Sequence, residues 1–542
     1  MSLPAAPPSA DGPTATAAVD QVARWWAPIV LVVVTLVVFE PTLWSGFVYD
    51  ARMQILTDTF LHEPANWWNV LTFRVLAMDV LDFNRPVHLA SLMADAALWG
   101  RQPFGYHLTS ILLHAANAVL VWLVVRDVLS HDGGAGQGGD RRAATRSRAI
   151  VALVAAGVFA VHPVVVEAVC EPTFREDLLA AAFTLGAVVV AARHVETPGG
   201  DPARAAACAA LCLLAVASKE SGVAAPLVVA AWWRTFRGGD RGRFWPLAVG
   251  GGLAAVAAFL AARFALETSP SRIFEVRPLY PGGSLATAMA IEPRILALYA
   301  QLIVLPVNLS ADYGLSSVRH LPLWAAATVL AGLAAAAVVG VRGDRRLLFG
   351  IALVVVPLLP VSNLVPIYRA AADRYLYLPM AGVACIVGSL LDRFIARGTD
   401  QVRQMSLVGA MAVVAALAVA NVSRQAVWAN SLALWEDTYR KIPASFTAAY
   451  GYSSALRESG SPEEAATLAR RAIDLAGGTR GDAWLALALA LDAAGKSAEA
   501  VEAAAKAIEV DGRLADPDAR VAALAMERDE AEAAKRVIGR IR

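Results

Sequence analysis

Residues 25–44 read WWAPIVLVVVTLVVFEPTLW, and this stretch decides the fold class. From Trp25 to Phe39 it contains no charged residue, and about 20 apolar residues in a helix cross the hydrocarbon core of a bilayer. Similar runs recur along the 542-residue chain, whose mean hydropathy is +0.53, and the charged residues crowd between the runs. The sequence therefore predicts an all-α, polytopic membrane protein.

The apolar runs predict eleven membrane spans. A further run, 291–308, we expect to lie in the interface or to re-enter the membrane within an outer loop. With a cytoplasmic N-terminus, this choice places all five Arg-rich loops on the cytoplasmic side, as the positive-inside rule requires. The predicted spans are 25–44, 106–126, 148–165, 176–193, 205–218, 221–234, 244–265, 322–341, 347–366, 376–392 and 405–422.

Composition divides the chain into three predicted parts. Residues 1–24 are rich in Pro, Ala and Ser and predict a disordered cytoplasmic tail before an uncleaved anchor. Residues 25–423 form a transmembrane domain with a first outer loop at 45–105 and a long outer loop at 266–321. An odd number of spans places residues 424–542 outside the cytoplasm. Because the Ala-rich composition is typical of GC-rich bacterial genomes, we expect a bacterial inner membrane protein with a periplasmic site.

The C-terminal part contains an internal repeat. SALRESGSPEEAATLARRAIDL (454–475) matches LALALDAAGKSAEAVEAAAKAIEV (487–510) with an offset of 35 residues. Turn glycines and small residues at the packing seam correspond in both copies. Helix pairs with this period are typical of tetratricopeptide (TPR) repeats, so we expect an α-helical TPR solenoid at 424–542.

The four cysteines and the net charge exclude several classes of site. The cysteines lie in or beside apolar segments, which predicts neither a disulfide framework nor a zinc site. The formal net charge of +1 gives no indication of a nucleic-acid partner, and we predict none. The cysteines are Cys170, Cys208, Cys212 and Cys385.

Charged residues between the spans map to the outer side of the membrane under this topology. Charged side chains at the lip of a span are costly, so their convergence on one face indicates a functional site. The stretches are GFVYDARMQI (46–55), FNRPVH (83–88), VHPVVVEAVCEPTFREDLLA (161–180), SKESG (218–222), LSADYG (309–314) and YRAAADRYLYLP (368–379).

Each of these stretches also has a structural interpretation. Asp50 is equally explained as a helix cap, and His162 with Glu167 as a helix end at which the imidazole caps backbone groups. The acids and bases at 175–177 are equally explained as an interfacial charge network. An outer arginine held against the positive-inside bias, such as Arg374, instead favours the binding of a lipid phosphate.

The order of these motifs resembles the TMTC proteins, transmembrane and TPR-containing O-mannosyltransferases of the glycosyltransferase C (GT-C) superfamily. The resemblance covers nearly the whole chain after residue 30 and continues into the TPR array. Its motifs are F-x-Y-D at 47–50, N-R-P at 84–86, Gly100, Pro103, Gly105, His107 and His114, H-P-x-x-x-E-A-V at 162–169, R-x-D-L-L at 175–179, K-E-S at 219–221, L-S-A-D-Y at 309–313 and R-Y-L-Y-L-P at 374–379.

The resemblance implies a GT-C fold and transfer of a sugar from a polyprenyl-phosphate carrier. Such enzymes use an acidic residue of the first outer loop, here Asp50, which we expect to act as general base in an inverting attack. A second acid often follows, but Ala51 stands here. Asp58, Asp79 or Asp82 could replace it, and the spacing does not choose among them. We expect no metal ligand and no required cofactor, with metal dependence left open.

Roles for the other outer residues follow from the same resemblance. Arg374, with Lys219 and Arg369, is expected to bind the donor phosphate. The residues expected at the sugar or acceptor site are Arg85, His107, His162, Glu167, Arg175, Asp177, Glu220, Asp312 and Tyr313.

The resulting hypothesis is a glycosyltransferase that moves a sugar, mannose by the resemblance, to Ser or Thr hydroxyls of exported proteins. Its partners would be the lipid-linked donor and an acceptor polypeptide held in the TPR groove. A glycan or lipid acceptor is a close variant. A catalytically inactive membrane-anchored TPR scaffold is the non-enzymatic alternative. A transporter is disfavoured, because very few charged residues lie at the mid-depth of the membrane.

Overall fold

The computed structural model describes residues 15–131, 141–193, 201–237, 242–266, 280–315, 343–517 and 528–541, with scattered positions between 318 and 340 and Met526. Within these ranges the chain is helical and has no β-strand, which confirms the predicted all-α class. Residues 1–14 of the predicted tail and half of the predicted span 322–341 lie outside the described residues.

The longer helices before residue 428 are numbered α1 to α12 in chain order. They are α1 (Ala15–Phe39), α2 (Pro86–Trp99), α3 (Pro103–Ser130), α4 (Arg141–Val161), α5 (Arg175–Ala192), α6 (Pro202–Ser218), α7 (Ala225–Phe236), α8 (Phe244–Leu266), α9 (Leu285–Val304), α10 (Arg345–Leu358), α11 (Pro379–Arg397) and α12 (Asp400–Val427).

Several of these helices have the length and composition of membrane spans. Among the described residues, α1, α3, α8, α9, α11 and α12 qualify, six in all, or seven if the bent pair Ser147–Val161 and Pro163–Cys170 counts as one span. Helix α6 is apolar but shorter. The chain is therefore an integral membrane protein, whereas the number of eleven crossings stays a prediction.

Two helices differ from the predicted boundaries. Helix α1 begins at Ala15, ten residues before the predicted span, so part of the predicted tail is helical. Helix α9 covers Leu285–Val304, and its 20 residues with a mean hydropathy of 1.3 are enough to cross a membrane, although we expected an interfacial or re-entrant segment here. It begins with a capping box at Ser284 and Thr287, which sets its start upstream of the apolar run.

The membrane helices pack through small residues. Helix α3 contacts α1, α4, α5 and α11, and α10 packs along α11. Where α10 and α11 meet, the Cα of Gly382 in α11 lies against the backbone of α10. A Cβ at Gly382 would lie 2.6 Å from the carbonyl oxygen of Gly350 and 2.6 Å from the amide nitrogen of Val354. Glycine thus sets how closely these two helices approach.

The first outer loop has a small apolar core of its own. Phe47, Ala51, Ile55 and Phe60 pack with the inner face of α2. Helix α2 begins at Pro86, where a proline needs no amide partner, and ends at Gly100, whose φ is +59°. The loop is therefore an ordered cap over the outer ends of the spans, which holds the stretch 46–55 in place.

Beyond residue 428 the chain forms successive packed helices. Each helix contacts the next, and Gly460 and Gly495, which correspond in the two repeats, both end a helix with positive φ, +86° and +76°. The identity of the array as a TPR solenoid stays a prediction. The helices are α13 (Ser431–Lys441), α14 (Phe446–Glu458), α15 (Pro462–Leu475), α16 (Gly481–Ala493), α17 (Ser497–Val510) and α18 (Arg528–Ile538).

The C-terminal helices dock on the first outer loop. The amide of Gly46 donates to the carbonyl of Ala429 at 3.0 Å. The ring of Tyr49 stacks on Trp435 with centroids 5.4 Å apart, and Arg52 pairs with Glu458 at 2.6 Å. The segment around Asp50 is therefore held between the membrane helices and the C-terminal array.

The contact between α10 and α11 gives the first prediction. Gly382→Ala should lower the free energy of unfolding by about 1–3 kcal/mol, because the new methyl group meets backbone atoms that move only if the helices separate. Gly409→Ala is the matched control, since a Cβ at Gly409 in α12 meets nothing within 4 Å. Thermal unfolding of both variants in detergent is the measurement. Equal melting temperatures for the two variants would contradict the close approach.

Candidate active site

Asp50 lies on a three-residue helical turn, Tyr49–Ala51, just beyond the first span. Its side chain is exposed and makes no hydrogen bond or ion pair with any residue that the structure describes. Burial of its surroundings raises the pKa of Asp50, while the positive charges of Arg374 and Arg369 lower it. Water thus reaches this carboxylate, and the charges of two arginines act on it. An unpaired carboxylate in such a place is available to accept a proton.

Of the two arginines, Arg374 has the larger effect on Asp50. Its guanidinium donates to the carboxylate of Glu167, and its backbone amide donates to the same side chain at 3.2 Å. The guanidinium also stacks over Phe174, 4.0 Å from the ring centroid. Three contacts fix its position, and only about 9% of Arg374 is exposed.

A small recess lies beside Arg374, between the ends of α5, α10 and α11. Its lining combines the charged groups of Arg374 and Asp177 with small and apolar side chains. The lining residues are Asp177, Ala180, Ala181, Thr184, Ser221, Gly222, Pro357, Val361, Arg374, Tyr375, Leu378 and Pro379.

The other two cations predicted at the donor phosphate already have acidic partners. The Nζ of Lys219 lies 2.5 Å from Asp177 and 3.0 Å from Glu176. Arg369 donates to Asp312 at 2.7 Å and to the hydroxyl of Tyr49 at 2.6 Å. A phosphate bound here would share these cations with the protein's own carboxylates.

Arg85 is the centre of an adjoining charge cluster. It donates to Asp82 at 2.8 Å, to the carboxylate of Glu176 and to Glu220 at 3.0 Å. Asn84 also donates to Glu220. The predicted residues Arg85, Asp177 and Glu220 therefore meet beside the recess, together with Glu176.

This cluster contains one geometric candidate for a metal site. Ligand atoms of Asp82, His88 and Glu176 lie within 4.8 Å of one another, and both ring nitrogens of buried His88 lack a partner. However, Arg85 already bridges the two carboxylates, and Lys219 occupies the second oxygen of Glu176. A metal ion would lie beside two positive charges, so the cluster fits ion pairing better than metal binding.

Three of the predicted residues have structural partners instead. Arg175 is fully buried, forms an ion pair with Asp95 at 2.6 Å, and donates to Ser110 and to the backbone carbonyl of Tyr106. In His162, Nδ1 accepts from the amide of Val164 and Nε2 donates to the carbonyl of Ile303, which is the helix-end interpretation. The last of the three, His107, packs beneath the loop near Phe47.

The remaining predicted residues link the recess to the C-terminal array. Asp312 accepts from Arg369 at 2.7 Å and from Ser445 at 2.5 Å. The hydroxyl of Tyr313 donates to Asp373 at 2.5 Å. Burial and the negative charge of Glu167 raise the pKa of Asp373 to about 7.

Sequence reasoning missed Glu171 as a site residue. Its carboxyl group accepts a hydrogen bond from the amide of Ala51, the residue after Asp50. Glu171 lies inside the quoted stretch 161–180, yet no spacing in that stretch relates it to residue 51. Only the packing of the first and second outer loops brings the two together.

Comparisons with known proteins agree with the motif resemblance. No protein-family model matches the chain. It is 30% identical over 205 residues to the protein O-mannosyl-transferase Tmtc2 of Drosophila melanogaster, covering 36% of this chain and 20% of that protein. It is 23% identical over 458 residues to the protein O-mannosyl-transferase F38B6.6 of Caenorhabditis elegans, covering 81% of this chain and 61% of that protein.

The predicted likeness to TMTC proteins is therefore confirmed, although the chain spans only about a fifth of the length of the Drosophila relative. Among solved structures, ArnT from Cupriavidus metallidurans in the apo state has a TM-score of 0.41 and 16% identity, over 93% of this chain and 80% of ArnT. The ArnT structure bound to undecaprenyl phosphate has a TM-score of 0.39 and 15% identity, over 95% and 88% of the two chains.

The charge cluster around Arg85 gives the second prediction. Arg85→Ala should destabilise the protein by about 3 kcal/mol, because Asp82, Glu176 and Glu220 then face one another without their shared cation. Arg85→Lys should recover part of this loss. Arg74→Ala, at an exposed arginine of the same loop, is the control and should be neutral. Thermal unfolding in detergent measures all three; equal stability of Arg85→Ala and Arg74→Ala would contradict the cluster's role.

Proposed function

We propose that this chain, a relative of the TMTC protein O-mannosyl-transferases, is an integral-membrane glycosyltransferase. It transfers a sugar, mannose as in the names of its relatives, from a polyprenyl-phosphate carrier to Ser or Thr hydroxyls of exported polypeptides. One observation carries the proposal. The carboxylate of Asp50 is exposed and unpaired in the described structure, and it lies close enough to Arg374 and Arg369 for their positive charges to act on it.

The donor would enter from the membrane along the recess. Ala180, Val361 and Leu378 provide apolar walls for the prenyl chain, and the recess ends at Arg374. A planar guanidinium binds a phosphate through two parallel hydrogen bonds, and the pairing with Glu167 orients it for this. The phosphate would thus be held at the membrane surface, at the depth of Asp50.

The chemistry that this arrangement favours is a single inverting displacement. An acceptor hydroxyl gives its proton to Asp50, and its oxygen forms a bond to the anomeric carbon of the sugar. The bond between that carbon and the phosphate oxygen breaks, and the polyprenyl phosphate leaves with the electron pair. Arg374 stabilises the charge that develops on the phosphate, so the proposed reaction does not require a metal ion.

The acceptor would approach from the side of the C-terminal array. Helices α13 and α14 contact the residues on either side of Asp50, through Trp435 against Tyr49 and Glu458 against Arg52. A polypeptide bound to this array would be held beside the recess at a raised effective concentration. This contact favours a polypeptide acceptor over a glycan or lipid.

An inactive membrane-anchored scaffold is the second candidate. It is favoured by the pairing of every predicted phosphate-binding cation with a carboxylate of the protein itself. In that case the cations would hold the outer loops together, and no polyprenyl phosphate would bind.

The third prediction tests Asp50. Asp50→Asn should reduce transfer at least about 100-fold, because the amide cannot accept the hydroxyl proton. Glu63→Gln, at an exposed glutamate of the same loop, is the control and should retain wild-type activity. Purified proteins are incubated with radiolabelled polyprenyl-phosphate mannose and an extract of exported proteins, with and without EDTA, and label is counted in protein and lipid fractions.

Each outcome of that assay has a defined meaning. Label in the protein fraction that survives EDTA and requires Asp50 supports the proposal. Label in a lipid or glycan fraction supports the other acceptor. If no variant transfers label and none binds the donor, the scaffold is the correct interpretation.

The fourth prediction concerns pH. Because the protein around the Asp50 carboxylate displaces water, its pKa is raised, and the base becomes protonated at a higher pH than a fully hydrated aspartate does. The acid limb of kcat/KM should therefore lie above the ordinary aspartate range, with activity lost as the pH falls through it. A rate profile of the wild type against pH measures this, and full activity down to pH of about 4 would contradict it.

The fifth prediction tests Arg374. Arg374→Gln alone leaves Glu167 buried without its cation, so the double variant Arg374→Gln/Glu167→Gln separates binding from folding. The double variant should remain folded and lose binding of undecaprenyl phosphate at least about tenfold. Glu167→Gln alone, which keeps the guanidinium, is the control. Wild-type lipid binding by the double variant would contradict the assignment.

A further inference from the structure

Glu171 connects the second outer turn to the segment that carries Asp50. It follows the short helix Val166–Cys170, and its side chain is fully buried. The Oε1 atom accepts a hydrogen bond from the amide of Ala51 at 2.8 Å and another from the hydroxyl of Thr173 at 2.6 Å. A residue 120 positions away in sequence therefore fixes the peptide group adjacent to Asp50.

The Asp50 turn needs such an anchor because its backbone is strained. Tyr49 has a φ of +51°, in the left-handed region that residues with a side chain rarely adopt. On one side of the turn, Arg369 donates to the Tyr49 hydroxyl and Trp435 stacks on its ring. On the other side, the amide of Ala51 donates to Glu171 at 2.8 Å and, less closely, to the carbonyl of Val48 at 3.1 Å. The direction of the Asp50 side chain depends on both attachments.

Position 51 itself has no space for a second acid. Ala51 is fully buried and packs with Phe47, Ile55 and Phe60 in the apolar core of the first outer loop. A carboxyl group nevertheless reaches the backbone of residue 51, because Glu171 supplies it from another part of the chain. Residue 51 thus has no acidic side chain of its own, and Glu171 supplies a carboxyl group to its backbone amide.

The surroundings of Glu171 favour its neutral form. Within the described part of the chain, no Lys, Arg or His nitrogen forms an ion pair with it, and its Oε2 atom is buried without a partner. An ionised carboxylate is costly to bury without a cation. Burial and the negative charge of Asp50 raise the pKa of Glu171, in agreement with this geometry.

We propose that Glu171 is a positioning residue for Asp50: as a neutral carboxylic acid, it holds the Ala51 amide and so fixes the direction of the Asp50 carboxylate. Its catalytic consequence rests on the function proposed above, whereas the anchoring of the loop does not. Residue 171 then needs a side chain of this length that carries a hydrogen-bond acceptor. It does not need a negative charge.

Two substitutions distinguish the role of the hydrogen-bond acceptor at residue 171 from the role of its charge. Glu171→Gln keeps an oxygen that can accept from the Ala51 amide, while Glu171→Met keeps the size of the side chain and removes that oxygen. Asn117→Ala is the control, because Asn117 is equally buried but bonds to the carbonyl of Leu178 and the hydroxyl of Tyr377, away from the loop. For each full-length variant in detergent, amide hydrogen exchange of the 46–57 peptide and the kinetics of sugar transfer are measured.

We expect Glu171→Gln to keep the exchange protection of that peptide and a kcat within about threefold of the wild type. Glu171→Met should lose the protection, and its kcat should fall at least about tenfold with the donor KM unchanged, since a small misplacement of a reacting group slows the chemical step. Asn117→Ala should leave the 46–57 peptide protected.

Two results would overturn the proposal: wild-type protection in Glu171→Met, or loss of protection in Glu171→Gln. The second result remains decisive if Glu171→Met does not fold. If protection follows the expected pattern but the wild type transfers no sugar, the positioning by Glu171 stands and the proposed function fails.

Discussion

The ion pair between Arg374 and Glu167 is the interaction on which the outer end of the molecule depends. Glu167 is buried on the short helix Val166–Cys170 that follows α4, and Arg374 precedes α11, so the ion pair ties together two helical segments 207 residues apart. A charge buried at this depth must be paired, and removal of one partner leaves the other uncompensated. The same pair turns the guanidinium toward the recess, so one contact both stabilises the helices and shapes the candidate site.

The other buried charges obey the same constraint. Lys219 forms ion pairs with Asp177 and Glu176, and Arg369 donates a hydrogen bond to Asp312. Arg85 donates hydrogen bonds to three carboxylates. Asp50 differs from them, because its side chain is exposed and has no hydrogen bond or ion pair in the described structure. The proposed reaction requires a carboxylate that is free in this way.

The first outer loop is where the membrane helices and the C-terminal array meet. Tyr49 has an unfavourable backbone conformation, and contacts from both sides keep it there: Arg369 and Trp435 on one side, Glu171 below Ala51 on the other. Because these contacts come from distant parts of the chain, the position of Asp50 depends on the correct packing of all of them. The array thus has a structural connection to the candidate site as well as its proposed role in holding an acceptor.

The sequence by itself determined the helical membrane fold, the change to soluble helices near residue 424 and the position of Asp50 after the first span, because hydropathy and turn residues act locally. It also placed the charged stretches on one face. It did not determine which charges pair, so Lys219 and Arg175 were assigned to ligands although their partners are acids of the protein. The sequence did not indicate the role of Glu171 for the same reason. Its contact with Ala51 joins residues 120 apart, and only tertiary packing, which has no local sequence signal, creates it.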